Sequence, residues 1–308
     1  MKWTWIFFML ISTFSYGQLK GLKEDKQLSK ALARIVKECN MDSSYEVQEA
    51  VPAQVSVAVI RMNKKGGAFA GVNPDQFIYP ASVYKMYVAM EVLKQVSEGR
   101  YPLDRMYIVS TPNDVDRSRE IDTDPRPLLH DGDTVTVNYL LDLMITRSDN
   151  SAANCLIDIA GRKNVNATIL EQGWRGSEVT RKFLSRKLED PGYDTVRSTV
   201  TTPRHAAEFM YRVQKGQLVN PWVSMQMKAL LARQLDGGKL AAGLPAGTMF
   251  SHKTGWWQYY THDVGIVEDA NHSYVVAVFT PIREEALKGR MRELARKIHS
   301  LMINTKHK

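Results

Sequence analysis

The sequence contains only two cysteines, Cys39 and Cys155, among 308 residues. So few cysteines exclude a disulfide scaffold and a cysteine-based zinc cluster. A single bridge would fit an oxidising compartment. Cys39 lies on an apolar pattern of helical period, however, and Cys155 follows a polar loop. Two buried free thiols are therefore the favoured interpretation.

Motifs for metals, nucleotides and nucleic acids are absent as well. The seven histidines form no H-E-x-x-H or comparable ligand spacing, and there is no glycine-rich phosphate loop. We therefore expect neither a metal nor a nucleotide cofactor.

The formal net charge is +8, but Lys and Arg are spread over segments that also carry Glu. This spread predicts a solvated basic surface rather than a nucleic-acid site.

Long apolar runs are missing except at the N-terminus. Lys2 precedes an apolar run at residues 3–14, and the small residues Ser15 and Gly17 stand just before Gln18. This layout is typical of a cleaved secretory signal, and the run is shorter than the roughly 20 residues that span a bilayer. A retained anchor is the alternative. We expect a signal peptide at 1–17 and an exported, periplasmic or secreted protein without a stable membrane anchor.

The apolar periodicity predicts one α/β (α+β) catalytic domain over residues 18–308. Amphipathic helices begin near Leu28 and near Leu287, and short turns imply that the strands pair in an antiparallel sheet of about five strands. Those strands are expected at 54–62, 67–72, 248–253, 263–268 and 273–280. The sheet part covers 18–80 and 236–308, and a mostly helical part, 81–235, is inserted between them. We expect a monomer.

The first chemical motif is Ser82-Val83-Tyr84-Lys85, which opens an apolar helical run. Residues three apart share a helix face, so the Ser82 hydroxyl and the Lys85 amine can meet. A serine at a helix start also has an unpaired backbone N–H near the positive end of the helix dipole. About one S-x-x-K is expected by chance in a chain of this length. Taken alone, the motif would better fit a capping serine and a surface lysine.

The second motif, Ser148-Asp149-Asn150, lies between an apolar run at 140–145 and a helical pattern at 152–159. A hydroxyl held there could relay a proton, and an amide could bind a substrate carbonyl. An ordinary helix-capping loop is an equal alternative for this motif alone.

The third motif, Lys253-Thr254-Gly255, ends the strand predicted at 248–253. Gly255 lets the backbone pass close to a ligand. The Thr254 hydroxyl could bind a carboxylate, and Lys253 could attract an anion and hold Lys85 neutral. A turn after an edge strand is the alternative. The chance occurrence of all three motifs, in this order and each in a suitable secondary-structure setting, is far less probable than that of any one motif. Their joint presence therefore favours one shared site.

In this order, S-x-x-K, S-D-N and K-T-G resemble class A β-lactamases and the related penicillin-binding proteins. Residues 129–135 (LHDGDTV) and Thr201-Thr202-Pro203 extend the resemblance over nearly all of the mature chain. The resemblance implies a serine β-lactamase-like hydrolase that acts on β-lactam amides through an acyl-enzyme on Ser82. Its substrate would be a small-molecule β-lactam or a cell-wall peptide.

The resemblance also implies roles for single residues. Lys85 would assist removal of the Ser82 proton, and Ser148 would relay a proton to the leaving nitrogen. Asn150 would bind the acyl amide of the substrate.

At the third motif, Lys253 and Thr254 would engage the substrate carboxylate, next to Gly255. The backbone N–H groups of Ser82 and Trp256 would form the oxyanion hole. Such a donor typically contributes about 3 to 4 kcal/mol of transition-state stabilisation.

The sequence departs from the class A pattern in the loop before Thr201. Class A enzymes carry a glutamate two residues after an arginine, and here that position, after Arg181, is Phe183. Glu189 and Asp190 are nearby acids without the expected neighbours, and Glu189 is interpreted as a solvated loop residue rather than a base. The step that frees the acyl-enzyme therefore lacks an identified base.

A second departure follows the third motif, where no arginine stands between Thr254 and Gly265. His262 could partly take its place, although a lone histidine is more often structural. The neighbouring aromatic residues could either wall the pocket or cover the sheet; they are Trp256, Trp257, Tyr259 and Tyr260.

Two other functions remain open. The missing glutamate and the basic surface favour a D-alanyl-D-alanine carboxypeptidase or penicillin-binding protein with slow deacylation. A non-catalytic sensor that binds β-lactams is the third hypothesis, but it would be expected to carry a membrane segment or a partner domain.

Overall fold

The computed structural model describes residues 22–45, 53–63, 66–119, 121–189 and 197–304. The predicted signal peptide lies outside these residues, and so does Asp190. The described strands are β1 (Leu22–Glu24), β2 (Ser44–Tyr45), β3 (Ala53–Gln54), β4 (Ser56–Asn63), β5 (Gly66–Val72), β6 (Met106–Ile108), β7 (Thr134–Thr136), β8 (Met249–Trp257), β9 (Tyr260–Glu268) and β10 (Ser273–Thr280). The described helices are α1 (Lys26–Glu38), α2 (Lys85–Ser97), α3 (Val137–Thr146), α4 (Asn150–Ala160), α5 (Arg162–Glu171), α6 (Arg186–Glu189), α7 (Pro203–Lys215), α8 (Pro221–Leu231) and α9 (Glu284–Asn304).

Six strands form the central sheet, in the order β1-β5-β4-β10-β9-β8. The five predicted strands pair antiparallel with their neighbours, which confirms the predicted mixed α/β fold. The sixth strand, β1, was missed, and it pairs parallel to β5 at the edge of the sheet. Three residues are too few to show the alternation by which a strand is recognised in a sequence. β8 is the other edge strand, and it extends beyond the predicted end at Lys253.

The two faces of the sheet are covered by different parts of the chain. Because side chains alternate along a strand, Val57 and Val59 pack on the layer of α1 and α9. Ala58 and Ile60 on the same strand face the helical part of the chain. The sheet is thus held between the two terminal helices and the inserted helices, and burial of a valine or isoleucine side chain stabilises the fold by about 1.5–3 kcal/mol.

Helix α2 runs through the centre of the helical part and is buried around most of its circumference. It contacts α3, α4, α5 and α8, so its first residues are held rigidly. Cys155, on the neighbouring α4, is buried and unbridged, as is Cys39 after α1, which confirms the prediction of two free thiols. No helix among the described residues is long and apolar enough to cross a membrane.

Candidate active site

Ser82 lies in a single 3₁₀ turn, Ala81–Tyr84, directly before α2. Ala81 has φ +46°, a left-handed conformation that costs a residue other than glycine about 1–3 kcal/mol. The sequence predicted Ser82 at the start of the helix itself, whereas α2 begins at Lys85. The tighter 3₁₀ turn before a helix is common and is not distinguished by apolar periodicity.

Strand β8 passes against this turn at Gly255. A Cβ atom on Gly255 would lie 2.8 Å from the Pro80 carbonyl oxygen and 3.0 Å from the Ser82 backbone nitrogen. No larger residue fits without movement of the backbone, so the close approach of two segments explains the glycine of the third motif. Trp256 is the next residue on β8. The two backbone N–H groups predicted to form an oxyanion hole therefore belong to segments in direct contact.

The hydroxyl of Ser148 joins two buried lysines. Nζ of Lys85 lies 3.2 Å from Ser148 Oγ, and Nζ of Lys253 lies 3.0 Å from the same oxygen. When both lysines are charged they only donate, so Ser148 Oγ accepts both bonds and its own hydrogen points away from them. A hydroxyl held in this way is prepared to donate a proton to a third group.

A buried ion-pair network holds Ser148 in place. Ser148 has φ +63°, so the chain turns sharply between α3 and α4. The guanidinium of Arg147 binds Asp149 at 2.7 Å and Asp124 at 3.4 Å, and all three side chains are almost fully buried. Loss of one partner from a buried pair costs about 3–5 kcal/mol, so this network fixes the loop that carries Ser148.

Asn150, the first residue of α4, has both ends of its amide engaged. Its Oδ1 accepts a hydrogen bond of 2.7 Å from Lys85 Nζ. Its Nδ2 donates a hydrogen bond of 2.9 Å to Asp116 Oδ1. Asp116 was not identified from the sequence, because a single acidic residue in a loop carries no spacing signal.

Phe183 occupies the position where the class A pattern has glutamate, and its ring faces Lys85. Lys85 Nζ lies 4.3 Å from the centre of the ring. The ring is also stacked on that of Tyr84, with 5.1 Å between the ring centres and 8° between the planes. Asn154 fixes the backbone, because its Oδ1 accepts a 2.7 Å bond from the Phe183 N–H. The position at which the class A pattern has a carboxylate therefore carries a side chain that cannot accept a proton.

Glu189 is not the solvated residue that the sequence analysis expected. Its side chain is only 5% exposed and pairs with Arg162 at 2.9 Å. It also accepts a hydrogen bond from the backbone N–H of Lys182. Burial raises the pKa of Glu189 despite these partners. The prediction was wrong because the loop folds back on α5, a contact that no local pattern indicates.

The site opens into a cleft of about 510 Å³. Ser82 and Asn150 line it together with aromatic and basic side chains, among which are Tyr79, Tyr84, Phe183, Trp256, Trp257, Arg117, Arg181 and Lys182. The two tryptophans therefore wall the cleft, whereas Tyr260 is buried and packs edge-on against Tyr79. Among the described residues, no group of three or more His, Cys, Asp or Glu side chains could hold a metal ion.

The end of the site at the third motif carries its own charges. Lys253 and Thr254 are buried, and Lys253 Nζ also donates to the Thr254 carbonyl at 2.8 Å. Asp236 lies beside Thr254. Burial raises the pKa of Asp236, but the Lys239 ammonium and hydrogen bonds that include the Thr254 hydroxyl outweigh burial and lower it. Lys239 is thus a buried cation near this motif, although it lies 14 residues before Lys253 in the sequence and has no motif of its own.

His262 is a structural residue rather than a substitute for an arginine. It is fully buried in β9, and its Nδ1 accepts a 3.1 Å bond from the Thr280 N–H. Its Nε2 lies 2.9 Å from the Tyr79 carbonyl oxygen, so this nitrogen carries the proton and donates. Both nitrogens of the neutral ring are therefore satisfied by backbone.

The buried His262 predicts loss of stability in acid. Burial lowers its pKa to about 3, below the value near 6.5 expected in the unfolded chain. Between these values only the unfolded chain takes up the proton, so stability falls as pH falls. We expect the free energy of unfolding to drop by about 2 kcal/mol from pH 6.5 to 4.5 through this residue.

Urea unfolding at several pH values measures this effect. His262→Gln should lower the free energy of unfolding at pH 7 and make it depend less on pH. His130 is exposed, so His130→Gln should leave the pH dependence of the free energy of unfolding unchanged. Equal slopes for wild type and His262→Gln would show that the assignment is wrong.

The fold and this site define a class, the mixed α/β proteins of the β-lactamase and transpeptidase type. The crystal structure of a β-lactamase from Sphaerobacter thermophilus DSM 20745 matches with a TM-score of 0.73 and 23% identity, over 89% of this chain and 97% of that one. The structure of PBP-A matches with a TM-score of 0.72 and 21% identity, over 92% of this chain and 98% of that one.

Sequence comparison places the chain in one family of this class. The model of the Beta-lactamase enzyme family matches residues 30–302. The extended-spectrum β-lactamase PER-1 of Pseudomonas aeruginosa is 27% identical over 235 residues, which are 72% of this chain and 73% of that protein. The chain belongs to the Beta-lactamase enzyme family, and its function is that of a β-lactamase-like hydrolase. The resemblance drawn from the three motifs is thereby confirmed.

Proposed function

We propose that Ser82 attacks the amide of β-lactams to form an acyl-enzyme, and that this acyl-enzyme is hydrolysed slowly. One observation carries the proposal: Lys85 and Lys253 converge on the hydroxyl of Ser148, beside the turn that holds Ser82. We assign Lys85 as the proton acceptor and Ser148 as the proton relay for this nucleophile.

We propose that acylation proceeds in the following steps. Two ammonium groups that share one hydroxyl repel each other, which favours a neutral amine at Lys85. Neutral Lys85 takes the Ser82 proton while Ser82 Oγ bonds to the carbonyl carbon. The carbonyl oxygen, now negative, accepts hydrogen bonds from the backbone N–H groups of Ser82 and Trp256. Each donor stabilises the transition state by about 3 to 4 kcal/mol. The ring C–N bond then breaks, and Ser148 passes a proton to the leaving nitrogen.

Hydrolysis of the acyl-enzyme needs a base that activates water. General-base assistance typically accelerates such a step by about 10²–10⁴-fold. Phe183, the residue that faces Lys85 from the loop, has no atom that accepts a proton. The nearby Glu189 is already paired with Arg162. We therefore propose that deacylation is the slow step.

A cell-wall D-alanyl-D-alanine carboxypeptidase or penicillin-binding protein is the second candidate. Phe183 favours it for the same reason, because a long-lived β-lactam adduct is the behaviour of such proteins. The basic side chains around the cleft, Arg117, Arg181 and Lys182, would attract an anionic wall peptide. Release of D-alanine from an acylated D-Ala-D-Ala peptide would distinguish this candidate from a β-lactamase.

Intact-mass spectrometry of the wild-type protein with benzylpenicillin tests the proposal. We expect a gain equal to one whole penicillin molecule within seconds, because ring opening loses no atoms, and persistence of this adduct for minutes. No adduct together with no penicillin turnover would contradict acylation. Turnover faster than about 10 s⁻¹, the typical enzyme rate, would contradict slow deacylation.

The N-terminal sequence supports a further part of the proposal, namely that the protein is exported and works in the periplasm or outside the cell. The N-terminal residue of the protein purified from the periplasmic fraction tests this, with Gln18 as the expected result.

A further inference from the structure

Asp116 has an unusual set of partners at the edge of the cleft. Its Oδ2 accepts hydrogen bonds from two backbone N–H groups in the first turn of α4, from Asn150 at 2.6 Å and from Ser151 at 3.1 Å. Its Oδ1 accepts the bond from the Asn150 side chain. One carboxylate therefore binds both the start of the helix and the amide that its first residue presents to the cleft.

These contacts allow only one orientation of the Asn150 amide. A carboxylate only accepts hydrogen bonds, so the NH₂ group must face Asp116, and the amide oxygen then faces the Nζ of Lys85, which donates to it. The reversed amide would place an oxygen against Asp116 and two N–H groups against Lys85. The contact with Asp116 would then be repulsive, and Lys85 would lose the oxygen that accepts its 2.7 Å hydrogen bond.

The orientation matters for the substrate. Nδ2 carries two hydrogens, and Asp116 takes one of them, so the second is available to a carbonyl in the cleft that Asn150 lines. We propose that Asp116 is a positioning residue that holds the Asn150 amide with an N–H toward the acyl-side amide of the substrate. Asp116 thereby favours substrates that carry an acylamino side chain. This inference rests on the proposed acylation of Ser82.

Two substitutions separate this role from simple support of the helix. In Asp116→Asn only one side-chain oxygen remains, and the two backbone N–H groups of α4 need it as their acceptor. The new NH₂ group then faces the NH₂ group of Asn150. The Asn150 amide must either reverse or lose its hydrogen bond to residue 116. Asp116→Ala removes the carboxylate that accepts from the Asn150 amide but places no competing donor beside that amide. If orientation is the role, Asn is more damaging than Ala. If Asp116 only fills space and caps α4, the isosteric Asn is the milder change.

The measurement is the second-order rate of acylation by benzylpenicillin, which has an acylamino group, and by 6-aminopenicillanic acid, which lacks it. We expect Asp116→Asn to slow acylation by benzylpenicillin about tenfold, which corresponds to the loss of roughly one hydrogen bond. Acylation by 6-aminopenicillanic acid should slow less than about threefold. Asp114→Asn is the matched control, since Asp114 lies in the same loop and bonds Thr111, not Asn150. Equal losses for both compounds, or a larger loss in the alanine variant, would overturn the inference.

A second measurement needs no acylation. In protein labelled with ¹⁵N-asparagine, the Asn150 Nδ2 protons should show one slow-exchanging proton bound to carboxylate, unchanged in Asp114→Asn and lost in Asp116→Ala. Two fast-exchanging protons in the wild type would overturn the inference. If benzylpenicillin leaves no adduct but this proton is protected, the proposed function fails while the orientation by Asp116 stands.

Discussion

Replacement of Ser82 by alanine should abolish covalent labelling by benzylpenicillin. The attacking oxygen is then missing, and the lysines and Ser148 cannot supply another nucleophile in the same place. Loss of a nucleophile supported by a base typically costs catalysis more than about 1,000-fold. We expect no adduct in the intact-mass spectrum and at least this loss in hydrolysis of a chromogenic cephalosporin.

Ser118→Ala is the control, because Ser118 is an exposed serine at the mouth of the same cleft. It should form the adduct as the wild type does. Thermal unfolding of Ser82→Ala should be close to that of the wild type, since the change removes one oxygen. Labelling of Ser82→Ala at the wild-type rate would show that another residue is acylated.

Replacement of Phe183 by glutamate should turn a long-lived adduct into a short-lived one. The ring contacts Lys85, so a carboxylate at this position would lie near the acylated serine and could take a proton from water. General-base catalysis predicts that deacylation becomes at least about 100-fold faster. The decay of the penicilloyl adduct, followed by intact mass after removal of excess penicillin, measures this rate.

Phe183→Gln is the matched control, since glutamine has the shape of glutamate but does not act as a base. Both variants lose the stacking on Tyr84, which is worth about 1 kcal/mol. Both should therefore be destabilised similarly, and only the glutamate variant should deacylate faster. Equal adduct lifetimes in the two variants would mean that Phe183 does not occupy the place of the missing base.

These predictions differ in how far the sequence supports them. Ser82, Ser148 and Lys253 were identified by three short motifs, of which S-x-x-K alone was close to a chance event. Their order carried the inference, because a fold of known type brings these segments together. The absence of glutamate at Phe183 was also visible in the sequence.

Other features could not be predicted. The partner of Glu189 lies on a different helix, and the partners of Asp116 lie on α4, far along the chain from it. Neither contact leaves a periodic or spacing signal. The short edge strand β1 was missed for a related reason, since it is defined by its neighbour β5 rather than by its own pattern.

The sequence by itself determined the fold class and the three segments that meet at Ser82, because apolar periodicity and the order of the motifs are both read along the chain. The tertiary structure decided what those groups touch. Only the folded chain brings two lysines to one hydroxyl, turns the Phe183 ring toward Lys85 and sets Asp116 against Asn150. Hydrogen-bond direction and contact depend on distances between residues remote in sequence, which no local pattern encodes.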